Sequence, residues 1–379
     1  MKFYSPTDIK NITLPKNLEE ASHHKFLAEL QNPNSLIDNV KTEVRILEID
    51  GQLFPVTINH EAYNTCYTCS IYTAFISYAK SEILKIKHRF IKLFLCIIIK
   101  IFEIIFRLVK IDRIVSHNNF LLSTNLYPKI QINDEKFQHY LHSLSKDFPN
   151  HAFIFRSLNK HSNQDLITKL ISLGFKLYPT RQVYIFDKKQ SMFKQERNFK
   201  SDTNLLKKQD LYDFISNDDI KSSDYLRIVE LYKKLYIDKY SEFNPKFNEK
   251  YIELSHKTKL IEYFGLRNKE GVLDAIIGCY DRGKITTTPI VGYDTDLPRE
   301  LGLYRMLMAY SIDRADKKNL VLNLSSGASN FKILRGGKAY IEYSALYKKH
   351  LPLLSHIVWE FLRYLLNYVA VPIMKFYKL

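Results

Sequence analysis

"GLYRMLMAYSIDRADKKNLVLNLSSGASNFKILRGGKAYIEYSALY", from Gly302 to Tyr347, holds two kinds of periodicity. Residues 303–319 carry apolar side chains at helical spacing, and "LVLNLSS" is a short apolar run. "SNFKILRGG" predicts a brief helix closed by Gly336 and Gly337, and "AYIEYSALY" alternates as a strand. The same order of helix, strand, helix and strand occurs upstream. There, 134–148 reads as a helix and "HAFIFRSL" (151–158) as a strand. "NQDLITKLISLGF" reads as a helix closed by Gly174, and "RQVYIFD" (181–187) as a strand. A repeated order of this kind predicts two α/β halves of common architecture.

Working outward, "DYLRIVELYKKLYIDKY" (224–240) and "NEKYIELSHKTK" (248–259) predict helices. "IEYFGLR", "LDAIIGCYD" and "ITTTPIVGYD" predict a meander of strands. The expected organisation is an N-terminal segment over 1–62 with a hairpin around "VRILEIDGQLFPVTI", a first half over 63–190, and a charged linker over 191–219. A second half follows over 220–352, and an amphipathic helix over 353–379. Glycine is scarce, with 11 in 379 residues, and nine of the eleven lie between Gly265 and Gly337. Positive φ and close backbone approach are what glycine permits, so the second half is expected to hold the active site.

The formal net charge of +16 favours an anionic partner: a membrane surface, nucleic acid, a nucleotide cofactor or an acidic carrier protein. Cys66, Cys69, Cys96 and Cys279 are too scattered for a disulfide framework and fit a reducing compartment. "CYTC" at Cys66 is half of a zinc site with no second half. Glu135, His139 and His142 share a helix face without further ligands, so no metal is expected. "MKFYSPTDIKNITLPK" has no apolar core of signal-peptide length, and a cytoplasmic protein is expected. No GxSxG, HExxH or GxxxxGK[ST] is present. "NNFLLSTNLYP" (118–128) is rich in hydrogen-bonding side chains and fits either a cleft wall or a turn that satisfies its own backbone.

Two segments are unusually greasy and basic. Over 84–111, Lys85, Arg89, Lys92, Cys96, Lys100, Glu103, Arg107 and Lys110 recur at spacings of three and four on a long helix whose other positions are Ile, Leu and Phe. Its longest uncharged run, Leu93 to Ile99, falls far short of the roughly 20 residues of a span. An interfacial helix on anionic lipid fits, as does a helix wedged between domains with its stripe to water. The tail, "LLSHIVWEFLRYLLNYVAVPIMKFYKL", is similar, with Glu360 and Arg363 in its middle.

Two helices, a meander, a helix after a strand, and a closing strand–helix–strand is the order of the GNAT acyltransferase superfamily, and the chain resembles it over 113–352. "FKILRGG" (331–337) resembles the Phe-Lys-x-x-(aromatic or basic)-Gly signature of Fem-type peptidyltransferases and their biotin-cluster-like relatives, which are tandem GNAT proteins. The resemblance implies an α/β (α+β) fold of two tandem GNAT-like domains, each a mixed, largely antiparallel sheet flanked by helices. It implies an N-acyltransferase that moves an acyl or aminoacyl group from a thioester or ester to an amine. The donor phosphates would lie on the helix opening at Arg299, Leu301, Gly302, Leu303, Tyr304 and Arg305. This loop departs from the family's Arg/Gln-x-x-Gly-x-Gly/Ala pattern at Tyr304, so acyl carrier protein and aminoacyl-tRNA stand beside acyl-CoA as donors. Glu342, Tyr343, Tyr347 and His350 are the candidate acid–base groups. Lys332 is the candidate for a substrate phosphate or the developing oxyanion, with Asn323, Ser325 and Arg335 as further substrate contacts. A second reading is a non-catalytic basic module for lipid or RNA on a degenerate GNAT fold.

Overall fold

The computed structural model describes residues 2–9, 15, 17–61, 63, 65–84, 88–190 and 193–377. The N-terminal half runs β1 (Lys2–Tyr4), α1 (Pro6–Ile9), α2 (Leu18–Glu29), β2 (Glu43–Ile49) and β3 (Gln52–Asn59). A π-helical turn at Thr73–Ser77 leads into α3 (Tyr78–Leu84). Then come α4 (Arg89–Leu108), β4 (Ile114–His117), α5 (Asp134–Asp147), β5 (Ala152–Asn159), α6 (Gln164–Ser172) and β6 (Lys176–Phe186). The C-terminal half runs α7 (Arg197–Lys208), β7 (Tyr212–Ile215), α8 (Tyr225–Tyr232) with a second π turn at Lys233–Asp238, and α9 (Glu249–Lys257). It continues with β8 (Glu262–Asn268), β9 (Leu273–Arg282), β10 (Ile285–Tyr293), α10 (Leu303–Lys317), β11 (Val321–Asn323), α11 (Ser329–Ile333) and β12 (Lys338–Tyr347). The chain ends in α12 (Leu353–Leu365), a third π turn at Leu366–Ala370, and α13 (Val371–Tyr377). Several helix starts follow from side-chain caps: Asn17, Asn133 and Asn248 accept from the backbone N–H groups of α2, α5 and α9.

Among the described residues, twelve strands form one sheet in the order β1-β2-β3-β4-β5-β12-β6-β11-β10-β9-β8-β7. Among the described residues the parallel pairs are β4 with β5 and β10 with β11, one per half. The architecture is two tandem α/β halves, each a mixed, largely antiparallel sheet flanked by helices. The halves exchange their closing strands. β12 lies between β5 and β6, and β6 lies beside β11. Neither half therefore has a complete sheet from its own segment, because the alternation of both strands buries them only against each other's neighbours.

The expected boundaries need correction on this point. Strand β12, assigned to 220–352, closes the sheet of the first half, and that sheet begins with β1, β2 and β3, before residue 63. The expected linker over 191–219 contains α7 and β7. Helix α7 is amphipathic: it buries Phe199 and Asp202, and it packs Leu205 and Leu206 against the core that contains α10. The N-terminal segment covers the other half, since Phe26, Leu27 and Ile37 share a cluster with Tyr225, Tyr251 and Tyr280.

The greasy helix expected over 84–111 is α4, Arg89–Leu108, after α3; Lys85 lies outside the described residues. Its charged stripe does not simply face water. Glu103 is buried, accepts from Tyr72 Oη at 2.9 Å and Lys80 Nζ at 2.8 Å, and also pairs with Lys100 and Arg107. Among the described residues one helix, Leu353–Tyr377, is long and apolar enough to cross a membrane. One side of it packs on the protein through Val358, Trp359, Leu362, Leu366 and Met374, and Glu360 pairs with Lys348 and Arg363.

The exchange makes the two halves one cooperative unit. Trp359 reports on the C-terminal helix packed over β6, and far-UV circular dichroism reports on the whole sheet. In urea both signals are expected to fall in a single coincident transition. Two separated transitions would show that the halves unfold independently.

Candidate active site between the halves

The parallel pair β10/β11 covers Ile285–Thr287 against Val321–Asn323 and then opens. Pro289 causes it: lacking an N–H, it cannot serve the ladder, and β10 bulges between Thr287 and Ile290. Beyond the bulge, β10 continues beside β9, while the chain after β11 turns to β6 through Leu324 N to Tyr184 O and Tyr184 N to Ser325 O. The gap widens into a cavity of about 590 Å³.

The loop on one side of this gap is held by Lys332. Ser325, Gly327 and Ala328 all have positive φ, at 58°, 77° and 47°, a costly conformation for the serine and the alanine. Lys332, 3% exposed, sends Nζ back into the loop and donates to Leu324 O at 2.7 Å, Ser326 O at 2.8 Å and Ser325 O at 3.3 Å. Burial, and next the Arg181 guanidinium, pull the Lys332 ammonium from its usual 10.5 down to about 7. Gly336 closes the short helix with φ 87°, and Gly337 donates to Lys332 O.

Across the cavity the exchanged strands meet in an ion pair. Arg181 on β6 faces Glu342 on β12, with Nε to Oε1 at 2.7 Å and Nη2 to Oε2 at 3.2 Å. Arg181 Nη2 also donates to Ser123 O and Thr124 Oγ1, so "NNFLLSTNLYP" forms part of the wall. Burial opposes the charge on Arg181, but Glu342 outweighs it and holds the guanidinium above its ordinary range. Arg156 also lines the cavity. Its Nη1 donates to Thr68 O and Asn119 Oδ1. Its other three N–H donors have no protein acceptor among the described residues. The charged side chains lining the cavity are Arg156, Arg181, Lys239, Lys332 and Glu342, four cations to one carboxylate. Tyr67, Phe75, Tyr236, Tyr304 and Phe331 supply an aromatic wall. Burial raises the Tyr236 and Tyr304 phenols, which therefore stay protonated as donors. Two of the three π-helical turns border the cavity, through Phe75 and through Leu235 and Tyr236.

Of the residues predicted from sequence, Glu342, Lys332, Ser325 and Tyr304 line this cavity. Asn323 is buried beneath it and accepts from Ser325 N. The others lie apart. Tyr343 lines a second cavity with Lys160, Gln182 and Tyr340. Tyr347 and His350 stack on Phe153, and His350 Nε2 bonds His151 O, which serves the core of the first half. Arg335 is buried against Asp202 of α7 and bonds Phe331 O; Arg305 also pairs with Asp202, at 2.6 Å. Around the expected phosphate loop, Arg299 is exposed, Leu301 is half-buried and Leu303 is in the core. Gly302 is left-handed at φ 68°, and a Cβ there would lie 2.5 Å from Leu205 Cδ2. The close approach at Gly302 is thus made by α7, whose segment was expected to be a linker.

Arg156, Arg181, Tyr67 and Tyr236 were missed, because they come from two strands, a turn and a helical segment distant in sequence. Pro289 inside "TTTPIVGY" was the available signal for the splay. Cys66 and Cys69 are buried in the core, where burial raises both thiols. Glu19, Glu20 and His23 bring ligand atoms within 4.8 Å of one another. Glu19 accepts from Gly283 N and His23 Nε2 meets Tyr280 Oη, so two of the three serve the fold.

No protein-family model matches the chain, and no curated protein matches it. Solved structures do. A conserved protein of unknown function from Bacteroides thetaiotaomicron aligns at TM-score 0.50 with 12% identity, over 91% of this chain and 97% of that one. FemX aligns at TM-score 0.48 with 9% identity, over 91% and 97%. A GCN5-related N-acetyltransferase from Kribbella flavida aligns at TM-score 0.35 with 12% identity, over 61% and 80%. At these identities the likeness concerns the fold.

Replacing Lys332 by Met strands three loop carbonyls, each worth about 1–3 kcal/mol when buried and unpaired. Urea unfolding should show a loss of about 3 kcal/mol or more. The native amine has the lower pKa, so the unfolded chain binds more protons between about 7 and the usual 10.5. Wild-type stability should therefore rise relative to Lys332→Met across that window. A flat difference would place the lysine proton elsewhere.

Proposed function

We propose that the protein is an acyltransferase of the GNAT type, moving an acyl or aminoacyl group from a thioester or ester donor to an amine in the cavity at the β10/β11 splay. The observation that carries this reading is the cavity itself: a splay opened by Pro289, closed on one side by a lysine-clamped loop, and lined by four cations and one carboxylate. A general basic surface for lipid or RNA would need no such enclosed constellation.

In this reading Arg156 takes an anionic group of the donor, a phosphate or a carboxylate, with the three N–H donors that have no acceptor among the described residues. The donor's carbonyl lies toward the loop that Lys332 clamps; the ammonium spends its hydrogen bonds on the loop carbonyls, and its charge acts on the developing oxyanion through space. Glu342 receives the proton of the attacking amine, directly or through water, and Arg181 keeps that carboxylate oriented. The leaving thiolate or alkoxide takes that proton from the Glu342 carboxylic acid, directly or through water, and a cavity phenol, Tyr236 or Tyr304, held protonated by burial, donates a hydrogen bond to it. Acyl-CoA, acyl carrier protein and aminoacyl-tRNA are all donors with phosphates, and the cationic lining suits each. The aromatic wall favours an acyl group or acceptor with an apolar portion.

The test is turnover with the three donors and a panel of primary amines. Glu342→Gln keeps a hydrogen-bond acceptor for Arg181 but removes the base, and should lower kcat by about 10²–10⁴-fold. Arg156→Met should raise KM for the donor more than it lowers kcat. A wild-type protein that turns over none of the donors, or a fully active Glu342→Gln, would contradict the assignment.

A further inference from the structure

The apolar side chains left outside are not scattered. Among the described residues, 17 of the 25 large hydrophobic residues that are exposed lie on α4 and on the helix Leu353–Tyr377, so these two elements carry most of the uncovered apolar side chains described. On α4, Phe90, Leu93, Phe94, Ile97, Ile101 and Ile104 are each more than half exposed. At 100° per residue they fall within an arc of about 100°. Arg89, Lys100 and Arg107 lie within about 40° of one edge of that arc. The arc's other side meets the C-terminal helix, where Phe102 stacks on Phe361 with ring centroids 6.0 Å apart, and Phe106 shares a core cluster with Val358, Trp359 and Leu362. The exposed face continues there through Ile357, Phe361, Tyr364 and Tyr368, and across the π turn to Ile373 and Phe376.

We propose that the joined faces of α4 and the C-terminal helix dock on an anionic lipid bilayer, with both helices lying in the boundary between headgroups and acyl chains. Charge selects this occupant. The two acids on these helices are consumed internally, Glu103 by Lys80, Lys100 and Arg107, and Glu360 by Lys348 and Arg363. Cations therefore dominate the rim: Arg89, Lys100, Arg107 and Lys375 are exposed. A greasy face with a one-signed basic edge and amphipathic tyrosines is the composition of an interfacial helix. A twofold contact with a second copy would set this basic rim against itself. A transmembrane position for the C-terminal helix would strip Trp359 and Leu362 from the sheet. The surface also lies one element from the cavity, because α4 packs on α3 and its π turn, which supply Phe75 and Tyr78 to the cavity wall.

The experiment is flotation of the full chain with vesicles of phosphatidylglycerol and phosphatidylcholine in equal parts, or of phosphatidylcholine alone. It needs neither donor nor turnover, so its outcome is separate from that of the transferase reading. Wild type should float with the anionic vesicles and bind the neutral ones at least tenfold more weakly. Ile97→Asn/Ile101→Asn, at exposed positions, should lose binding to both. Arg89→Glu/Lys100→Glu should lose at least tenfold on anionic vesicles alone. Trp359 fluorescence verifies that each variant is folded. No flotation, equal binding to both vesicles, or a wild-type dimer that dissociates in Ile97→Asn/Ile101→Asn and never floats would overturn the proposal.

Discussion

The ion pair between Arg181 and Glu342 joins the two strands that each half lends to the other. The residues are direct cross-strand partners, so the pair forms only when β6 and β12 are both in place and in register. Breaking a buried pair of this kind by removing one partner costs about 3–5 kcal/mol, because the remaining charge keeps its desolvation without its compensation. Arg181 also holds the Ser123–Thr124 turn. One side chain thus connects the sheet of the first half, the closing strand of the second and a loop of the cavity wall.

The same constraint explains why the cavity sits where it does. A parallel pair must separate for the chain to leave in different directions, and in the C-terminal half Pro289 fixes the point of separation. Its counterpart in the first half, β4 beside β5, stays paired to its end, where His117 stacks on Phe155 and bonds Tyr140. The cavity opens at the β10/β11 separation and reaches Arg156 and Ser157 of β5. Its loop is kept in left-handed backbone by Lys332, which spends its hydrogen bonds on the chain and places its charge at the floor of the cavity.

Local order was legible in the sequence, and pairing across the chain was not. The helices and strands of 302–347 and of 134–186 follow from periodicity and from glycine at Gly174 and Gly336. Of "FKILRGG", Phe331 and Lys332 line the cavity, while Arg335 turns to Asp202. The strand exchange left no local trace, because β12 reads as a strand whichever partner it takes. Tyr347 and His350 look like acid–base candidates on a strand beside the site, yet strand alternation and the end of β12 turn them onto Phe153. Helix α7 was hidden by its charge: Asp202 reads as solvated, but two arginines, Arg305 and Arg335, bury it. In α4 the greasy character was plain, but which face meets water depends on the C-terminal helix packed beside it.

The central claim is that the cavity at the β10/β11 splay receives the acyl donor. Amide hydrogen exchange on the intact chain, with coenzyme A, acyl carrier protein or aminoacyl-tRNA added in turn, tests it most directly. The account predicts that at least one donor slows exchange in both 287–293 and 324–332, the two sides of the splay. Protection confined to other segments, or no change with any of the three, would contradict it.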